Sequence, residues 1–458
     1  MDQTLVFDSE LIRRYDYSGP RYTSYPTAVQ FHENFGAHDY QEAVKKSNLT
    51  ARPLSLYFHI PFCDTVCYYC ACNKIVTKDR NKSAFYLNRL HREIELQGSL
   101  FDRSRTVEQL HWGGGTPTFL SNREMEVLME ETQRHFSLSE AGEYSVEIDP
   151  REARQDTIAL LRSIGFNRMS LGVQDFDPNV QRAINRIQSE EETRRVLETA
   201  RQEGFTSISV DLMYGLPLQT VESFQKTLEK VLAFRPNRLS IFNYAHLPEI
   251  FSPQRRICIS DLPSASEKLA ILQSTIERLT SKGYLYIGMD HFAMPEDELA
   301  KAQRSGTLYR NFQGYSTHSD ADLIGFGATS IGKISNTYSQ NQKDIEKYYS
   351  EIDLGHLAIF RGIELDMDDI IRRDVISDLI CHFYLDYERI RRKHGINCNE
   401  YFFAEISELA VMEADGLLST SSTHIKVQPR GKLLIRNICM VFDRYLRNQK
   451  TQHFSKVI

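Results

Sequence analysis

Leu54-Ser-Leu-Tyr57-Phe-His59-Ile60-Pro-Phe-Cys63-Asp-Thr-Val-Cys67-Tyr-Tyr69-Cys70-Ala-Cys72 joins an apolar, aromatic run to four cysteines in ten residues. The run 54–60 reads as a strand rich in β-branched and aromatic side chains. Thiolates separated by three and then two residues can gather around one inorganic centre while the loop backbone wraps it, as iron–sulfur ligation requires. Structural zinc instead takes two separated pairs or Cys/His mixtures. No second pair follows, since Cys258, Cys381, Cys398 and Cys439 are scattered singly. Three cysteines on a four-iron cluster leave one iron open to a small molecule.

Outward from this stretch, β-rich runs alternate with amphipathic helical patterns, the mark of parallel strands joined by crossover helices. The pattern predicts strands over 54–60, 107–112, 144–149, 168–173, 207–213 and 238–244. Helices are expected over 83–97, 122–136, 157–163, 190–203, 221–234 and 265–282. Ser189 with Glu192 and Ser264 with Glu267 have capping-box spacing, and Gly165, Gly204 and Gly283 stand where helices should stop. Six units make an open, partial barrel, whose site should gather at the C-terminal ends of the strands. The cysteine loop falls on that rim, with Gly113-Gly114-Gly115-Thr116, Glu147, Asp149, Gln174, Asp211 and Asn243-Tyr244-Ala245-His246. Glycines without side chains let backbone amides and carbonyls approach a charged ligand, although such a run could also be a tight turn. Carboxylates accept hydrogen bonds from hydroxyls or an ammonium, and Arg186 can grip a carboxylate or form an ordinary helix-surface ion pair.

The ends differ from the middle. Residues 1–53 carry Tyr15, Tyr17, Tyr22 and Tyr25 around Ser18-Gly19-Pro20-Arg21, where Gly-Pro favours a fixed turn. The expected divisions are an aromatic extension over 1–53 covering the site, a barrel with its extension over 54–332, and a C-terminal part over 333–458. That last part reads as helical, with short strands at 417–421 and 425–428 and a helix over 432–447, a winged-helix-like order. Arg391-Arg392-Lys393 reads as a solvated helix face. The 458 residues are 41% hydrophobic and 25% charged with a net charge of -6, so no global basic field draws nucleic acid. No apolar run approaches the roughly 20 residues that cross a bilayer, and the start has no basic-then-apolar leader. A cytoplasmic enzyme with reduced thiols is expected. An RNA-acting enzyme and a zinc protein are the rival classes.

The set Cys63/Cys67/Cys70 resembles the signature of radical S-adenosylmethionine enzymes, whose fold is the same partial barrel. Within that superfamily, Tyr17–Pro26, the cluster extended to Cys72, His111–Pro117, Gly172–Asp175, Phe242–Pro248, Gly288–Phe292 and Arg310–Tyr315 resemble the oxygen-independent coproporphyrinogen III dehydrogenases across the chain. A haem-chaperone relative lacks the aromatic N-terminal segment, has Phe in place of Cys72, and carries a His-Asn-x-x-Tyr-Trp motif absent here. The resemblance implies an α/β partial (β/α)6 barrel with a helical, winged-helix-like C-terminal domain, and anaerobic haem biosynthesis. The implied reaction is oxidative decarboxylation of the ring A and B propionates of coproporphyrinogen III, giving protoporphyrinogen IX. It implies one 4Fe-4S cluster on Cys63, Cys67 and Cys70, and two S-adenosylmethionines. The first maps to Tyr57, the backbone near Tyr69, Gly114, Glu147 and Ile331, the second to Gly115, Thr116, Gln174, Arg186, Asp211 and Ala245. Tyr57, His59 and Gln313 are the candidate catalytic residues. His59 also fits a satisfied structural histidine, and Cys72 a spare thiol, a proton donor or a small buried residue. Arg21 among its tyrosines suits a substrate carboxylate. The expected partners are a porphyrinogen and an electron-donating flavodoxin or ferredoxin, with no nucleic acid or membrane, and the expected state is a monomer.

Overall fold

The computed structural model describes residues 4–447. The chain forms two compact units, Phe31–Ser274 with Asp320–Glu364, and Met1–Gln30 with Thr275–Ser319 and Leu365–Ile458. These divisions fall elsewhere than the expected 53/54 and 332/333. The helix Ala37–Ser47 buries Tyr40, Ala43 and Val44 within the barrel unit, and the chain beyond Gly332 continues the barrel's sheet.

In the barrel unit, the six expected strands are β1 (Leu54–Ile60), β2 (Thr106–Gly114), β3 (Ser137–Ile148), β4 (Arg168–Gln174), β5 (Ser207–Tyr214) and β6 (Arg238–Asn243). They pair in that order and all in parallel. The crossovers carry α1 (Asn81–Gly98), α2 (Asn122–His135), α3 (Gln155–Ser163), α4 (Pro178–Ala183), α5 (Glu190–Gln202) and α6 (Val221–Ala233). Ser121 with Glu124 and Ser189 with Glu192 close true capping boxes at α2 and α5, each satisfying orphan amides of a first turn.

A seventh parallel strand, β7 (Asp322–Phe326), lies beside β1 with Leu54 opposite Asp322. Three antiparallel strands follow it, β8 (Ile331–Ile334), β9 (Thr337–Asn341) and β10 (Ile359–Glu364). The expectation of helix beyond Gly332 is thus corrected for 333–364, where Ile345–Asp353 is the helical piece. Strand β9 is buried at every position although it reads Thr-Tyr-Ser-Gln-Asn. Sheet pairing on both sides, not hydrophobic patterning, makes it a strand.

The second unit, taken by itself, joins the N-terminal segment around Tyr15 and Tyr22 to helices and loops beyond residue 365. Its helices include Ser9–Arg14, Met367–His382, Tyr387–His394, Phe403–Ala414 and Ile435–Val441, with a small antiparallel sheet of Tyr384–Asp386, His424–Val427 and Leu418–Thr420. The expected strand pair near 417–428 is therefore present with a third strand beside it. The Tyr15 hydroxyl donates to Asp415 at 2.6 Å, Tyr22 to Asp443 at 2.9 Å, and Asn437 Nδ2 to the Tyr15 carbonyl at 2.8 Å. Among the described residues no helix is long and apolar enough to cross a membrane.

Strand faces explain where the barrel puts its polarity. Leu54, Leu56, Phe58 and Ile60 of β1, Leu110 and Trp112 of β2, and Val146 and Ile148 of β3 are buried, and Trp112 packs edge-on against Phe166 at 4.7 Å. Successive side chains point to opposite faces. The alternate set is therefore Ser55, Tyr57 and His59; Gln109, His111 and Gly113; Glu143, Ser145 and Glu147; Ser170, Gly172 and Gln174; and Ser209 and Asp211. These make cross-strand rungs: Ser55 Oγ donates to Gln109 Oε1 at 3.0 Å, His111 Nδ1 lies 2.6 Å from Ser145 Oγ, and Ser170 Oγ donates to Asp211 Oδ2 at 2.9 Å.

At the other end of the strands, Arg105 Nη2 pairs with Asp322 Oδ2 at 2.6 Å, the side chains 3% and 1% exposed. Arg105 also donates to the Arg52 carbonyl, and the Ser47 hydroxyl to Asp322. Removing one member of a buried pair strands the other charge, which costs about 3–5 kcal/mol. Asp322→Ala is therefore expected to lower the thermal unfolding midpoint sharply, while Arg92→Ala, at an exposed i,i+3 pair, leaves it within a degree or two.

Candidate functional site: a cysteine loop on a polar barrel rim

The cysteine loop leaves β1 and is tied down along its length. Thr77 and Ile75 amides donate to the carbonyls of Cys63 and Pro61 at 2.9 and 2.6 Å. The Tyr68 amide donates to the Ile184 carbonyl at 2.9 Å, Asn185 Nδ2 to the Val66 carbonyl at 2.8 Å, and Gln254 Nε2 to the Tyr69 carbonyl at 3.1 Å. Cys67 and Tyr69 pack in one apolar cluster with Val180, Ile184, Leu216, Tyr244 and Ile257. Every residue that a cluster needs held still thus has a backbone or core anchor.

The thiols sit in different fields. Burial pushes Cys63 up to about 12, against a hydrogen bond from the Thr116 hydroxyl 3.6 Å from its sulfur. Cys70 is driven below the ordinary thiol range, first by a hydrogen bond from the Cys72 thiol and also by the Lys74 ammonium, which donates to the Cys70 carbonyl. Cys67 Sγ receives Arg186 Nη1 at 3.6 Å and Arg151 Nη2 at 3.8 Å. Asp149 stands between these guanidiniums, 2.9 Å from Arg186 and 2.6 Å from Arg151. Burial would raise its carboxyl, but the two arginines hold it at about 2. Arg186 is consequently no helix-surface pair: it is buried and also donates to the Gly172 carbonyl. Cys72 is exposed, so the reading as a small buried residue falls away. Among the described residues no three Cys, His, Asp or Glu side chains form a single-ion cage; an iron–sulfur cube takes one thiolate per iron. Three thiols on one anchored loop, flanked by cationic N–H donors, fit such a group by their chemistry.

The amides of the glycine run bond within the protein. The Gly115 and Thr116 amides donate to the Ile60 and Phe62 carbonyls, both at 2.8 Å, and the Gly114 amide to Glu147 Oε2 at 3.1 Å. These three donors are already engaged. What the glycines provide is space: a Cβ on Gly113 would lie 2.9 Å from Glu147 Oε1 and from His111 Nε2, one on Gly114 2.7 Å from the His59 ring, and one on Gly115 2.6 Å from the Phe62 carbonyl oxygen. Gly114 also has φ of +114°, a region costly to side-chain-bearing residues.

Around them the polar rungs continue. Glu147 keeps 45% of its side-chain surface accessible although protein surrounds it, so that surface faces the barrel interior. Burial would raise its carboxyl, but His111 and the Gly114 amide hold it below the usual range. The Tyr57 ring stacks on His111 at 5.8 Å, and its hydroxyl lies 3.2 Å from His59 Nδ1. His59 Nε2 is 3.0 Å from the Asn73 carbonyl. A carbonyl only accepts, so Nε2 carries the proton and Nδ1 accepts from Tyr57. Burial lowers the His59 pKa and keeps the ring neutral. His59 is thus a satisfied histidine placed on the rim.

The remaining positions divide between the two units. Gln174 ends β4 with φ of +69°, a strained conformation for its residue type. Asp211 is pushed up to about 6 by burial, against hydrogen bonds from Ser240 and Ser170. The Ala245 carbonyl accepts from Gln254 Nε2 at 3.2 Å. Ile331 opens β8, its backbone close against Gly325, the register partner of Tyr57. Gln313 belongs to the other unit, at the turn between Tyr309–Asn311 and Gly314–Ser316. Arg21 lies there too, paired with Asp290 at 3.0 Å. Sequence reasoning missed His111, Ser145 and Arg151 as site residues; for the first two the available signal was period-two spacing from Gly113 and Glu147.

A partial parallel barrel with three such cysteines after its first strand defines a radical S-adenosylmethionine enzyme, and residues 57–231 match the radical SAM superfamily. Superfamily membership brings a 4Fe-4S cluster and S-adenosylmethionine. Along its full length, the chain is 55% identical to the oxygen-independent coproporphyrinogen III oxidase of Pseudomonas aeruginosa, with all of both chains covered. It is 51% identical to that of Escherichia coli, over 100% of this chain and 99% of the relative. The solved structure of the Escherichia coli coproporphyrinogen III oxidase, described as a radical SAM enzyme, superposes with a TM-score of 0.93 at 50% identity, covering 96% of this chain and 100% of that one. The chain belongs to the oxygen-independent coproporphyrinogen III oxidase family.

Two outcomes test this site. Cys63→Ala, Cys67→Ala or Cys70→Ala should each lose most of the cluster iron after anaerobic reconstitution, whereas Cys72→Ala should retain it; iron and sulfide assays decide. Asp211 has a raised pKa, so it gains a proton as pH falls through about 6 and loses its acceptor charge. The efficiency of S-adenosylmethionine use should therefore drop below pH 6, approaching tenfold per pH unit, and Asp211→Asn should abolish that acid limb.

Proposed function

We propose that this enzyme converts coproporphyrinogen III to protoporphyrinogen IX without oxygen, oxidatively decarboxylating the ring A and B propionates to vinyl groups in anaerobic haem biosynthesis. The observation that carries the reading is full-length identity of 51–55% to relatives named for that activity, in a chain whose cysteine loop opens onto a polar barrel rim. Each propionate gives up one β-hydrogen atom, CO2 and one electron. When bound, the cluster and S-adenosylmethionine supply the carbon radical that takes the hydrogen.

The chain's own residues hold, orient and shield. Cys63, Cys67 and Cys70 ligate the cluster, and the two guanidiniums beside Cys67 offset the charge that its thiolate brings. Two S-adenosylmethionines are accommodated. Glu147 offers an ionised carboxylate to the first one's ammonium or ribose, beside Tyr57, Gly114 and the Tyr69 backbone, with Ile331 against adenine. Gly115, Thr116, Gln174, Arg186, Asp211 and Ala245 serve the second. Because Arg186 is neutralised by Asp149, its grip on a carboxylate is shared. Tyr57 and neutral His59 form one hydrogen-bonded pair that can shift a proton without placing net charge in the site. Gln313 is a further residue proposed to handle substrate. The barrel interior keeps water from a radical that would otherwise react indiscriminately. A flavodoxin or ferredoxin supplies the electrons, and the enzyme works as a monomer in the cytoplasm.

The deciding experiment is anaerobic reconstitution followed by incubation with S-adenosylmethionine, a strong reductant and coproporphyrinogen III. Protoporphyrinogen IX, read as protoporphyrin after oxidation, should appear with two CO2 per molecule. A fully cluster-loaded protein that cleaves S-adenosylmethionine but leaves coproporphyrinogen III intact would sink the substrate assignment.

A further inference from the structure

The second unit buries two guanidiniums near each other, those of Arg310 and Arg436. Arg310 and Tyr315 are cross-strand partners in the hairpin Tyr309–Asn311/Gly314–Ser316, and the guanidinium lies 4.8 Å from the Tyr315 ring centroid. Arg310 is only 8% exposed, yet its Nε and Nη1 have no hydrogen-bond partner. Arg436, 4% exposed, donates through Nε to the Pro20 carbonyl at 2.9 Å and through Nη2 to the Gly19 carbonyl. These two acceptors are neutral carbonyls. Burial, and the nearby charges of Arg21 and Arg310, depress Arg436 to about 10, an effect that Asp290 only partly offsets. Asp290 is already engaged, 3.0 Å from Arg21. Asp290 is thus shared between Arg21 and Arg436. At the same hairpin's turn, the Gln313 side-chain Nε2 is also buried without a partner.

Proteins rarely bury a guanidinium with two idle N–H donors, since desolvation is costly and planar donors are readily matched by a carboxylate. An aromatic face beneath Arg310 steadies the cation but accepts none of its in-plane hydrogen bonds. A carboxylate would supply oxygen acceptors that match these donors.

We propose that Arg310, flanked by Arg436 and Arg21 and backed by Tyr315, is a binding site for a carboxylate, and that the carboxylate is a propionate of the porphyrinogen substrate. The class of substrate rests on the function proposed above; the carboxylate site rests on the arginines. Methionine carboxylate from S-adenosylmethionine has the same chemistry, and affinity measurements separate the two sources. Arg310 is a binding residue here, distinct from the groups that hold the cluster.

The test uses the reconstituted holoenzyme and coproporphyrin III, the air-stable, fluorescent oxidised form of the substrate, beside its uncharged tetramethyl ester. Arg310→Gln should weaken coproporphyrin III binding at least tenfold and raise KM for coproporphyrinogen III similarly. Ester binding, iron content and S-adenosylmethionine affinity should stay at wild-type values. Arg310→Lys, which keeps the charge, should recover part of the loss. Arg21→Gln, at a half-buried position and so the milder change to the fold, should weaken the acid severalfold and leave the ester unchanged. Wild-type affinity for coproporphyrin III in both Arg310→Gln and Arg21→Gln overturns the proposal. So does a selective loss of S-adenosylmethionine affinity, which would assign the guanidinium to that ligand. Failure of the substrate reading looks different: the wild-type holoenzyme would then not turn over coproporphyrinogen III, whereas failure of the site alone leaves turnover intact with an unchanged KM in the variants.

Discussion

The barrel depends on satisfying the polar side of its strands. Parallel strands covered by helices usually present hydrophobic residues on both faces. Here β1 to β5 turn Ser, Gln, His, Glu and Asp inward, and a lone polar group there would cost more than a lost contact on the outer face. The solution is lateral. Ser55 meets Gln109, His111 meets Ser145, and Ser170 meets Asp211. Register consequently matters twice over: a one-residue slip would turn the charged set into the helix layer and the leucines into the interior. Arg105 and Asp322 pin that register at the opposite end of the strands.

The same constraint prepares the rim for charged ligands. Glu147 is held ionised by His111 and by the Gly114 amide, so it enters any complex with its charge settled. Asp211 is different, since two serines are too weak to offset its burial, and it remains near the point of protonation. The two carboxylates are thus shifted in opposite directions: His111 and the Gly114 amide hydrogen-bond Glu147, while Asp211 has serine hydroxyls against its burial. The cysteine loop shows similar differentiation. Cys70 is eased toward thiolate by Cys72 and Lys74, while burial disfavours it at Cys63 until a metal compensates.

Most of the barrel was legible because strand and helix periods alternate cleanly from Leu54 to Asn243, and capping residues such as Ser189 and Glu192 mark the helix starts. The cysteine loop was legible because its spacing is chemically restrictive. The strands at Thr337–Asn341 and Ile359–Glu364 were not, because one is polar at nearly every position and owes its form to neighbours distant in sequence. Nor could spacing reveal that Gly113, Gly114 and Gly115 exist to clear His111, His59 and the Phe62 carbonyl, or that Arg186 would face Asp149. Those facts depend on which side chains cross between strands. The aromatic N-terminal stretch advertised a fixed structure, but its partners, Asp415, Asp443 and Asn437, lie more than 390 residues away along the chain.

That last separation bears on how the protein is made. A ribosome delivers a chain from its N-terminus, and domains generally fold as they emerge. The barrel unit ends at Glu364, so it can be complete while the final helices are still unsynthesised. Tyr15 and Tyr22 emerge first of all, yet the groups that bind them are among the last to appear. The opening segment must therefore wait, with its tyrosines uncovered, through nearly the whole of translation, and the closure of so long a loop comes at the end. The second unit is closed only when Tyr15 and Tyr22 meet Asp415, Asn437 and Asp443, which makes this contact a natural checkpoint on synthesis of the C-terminal helices.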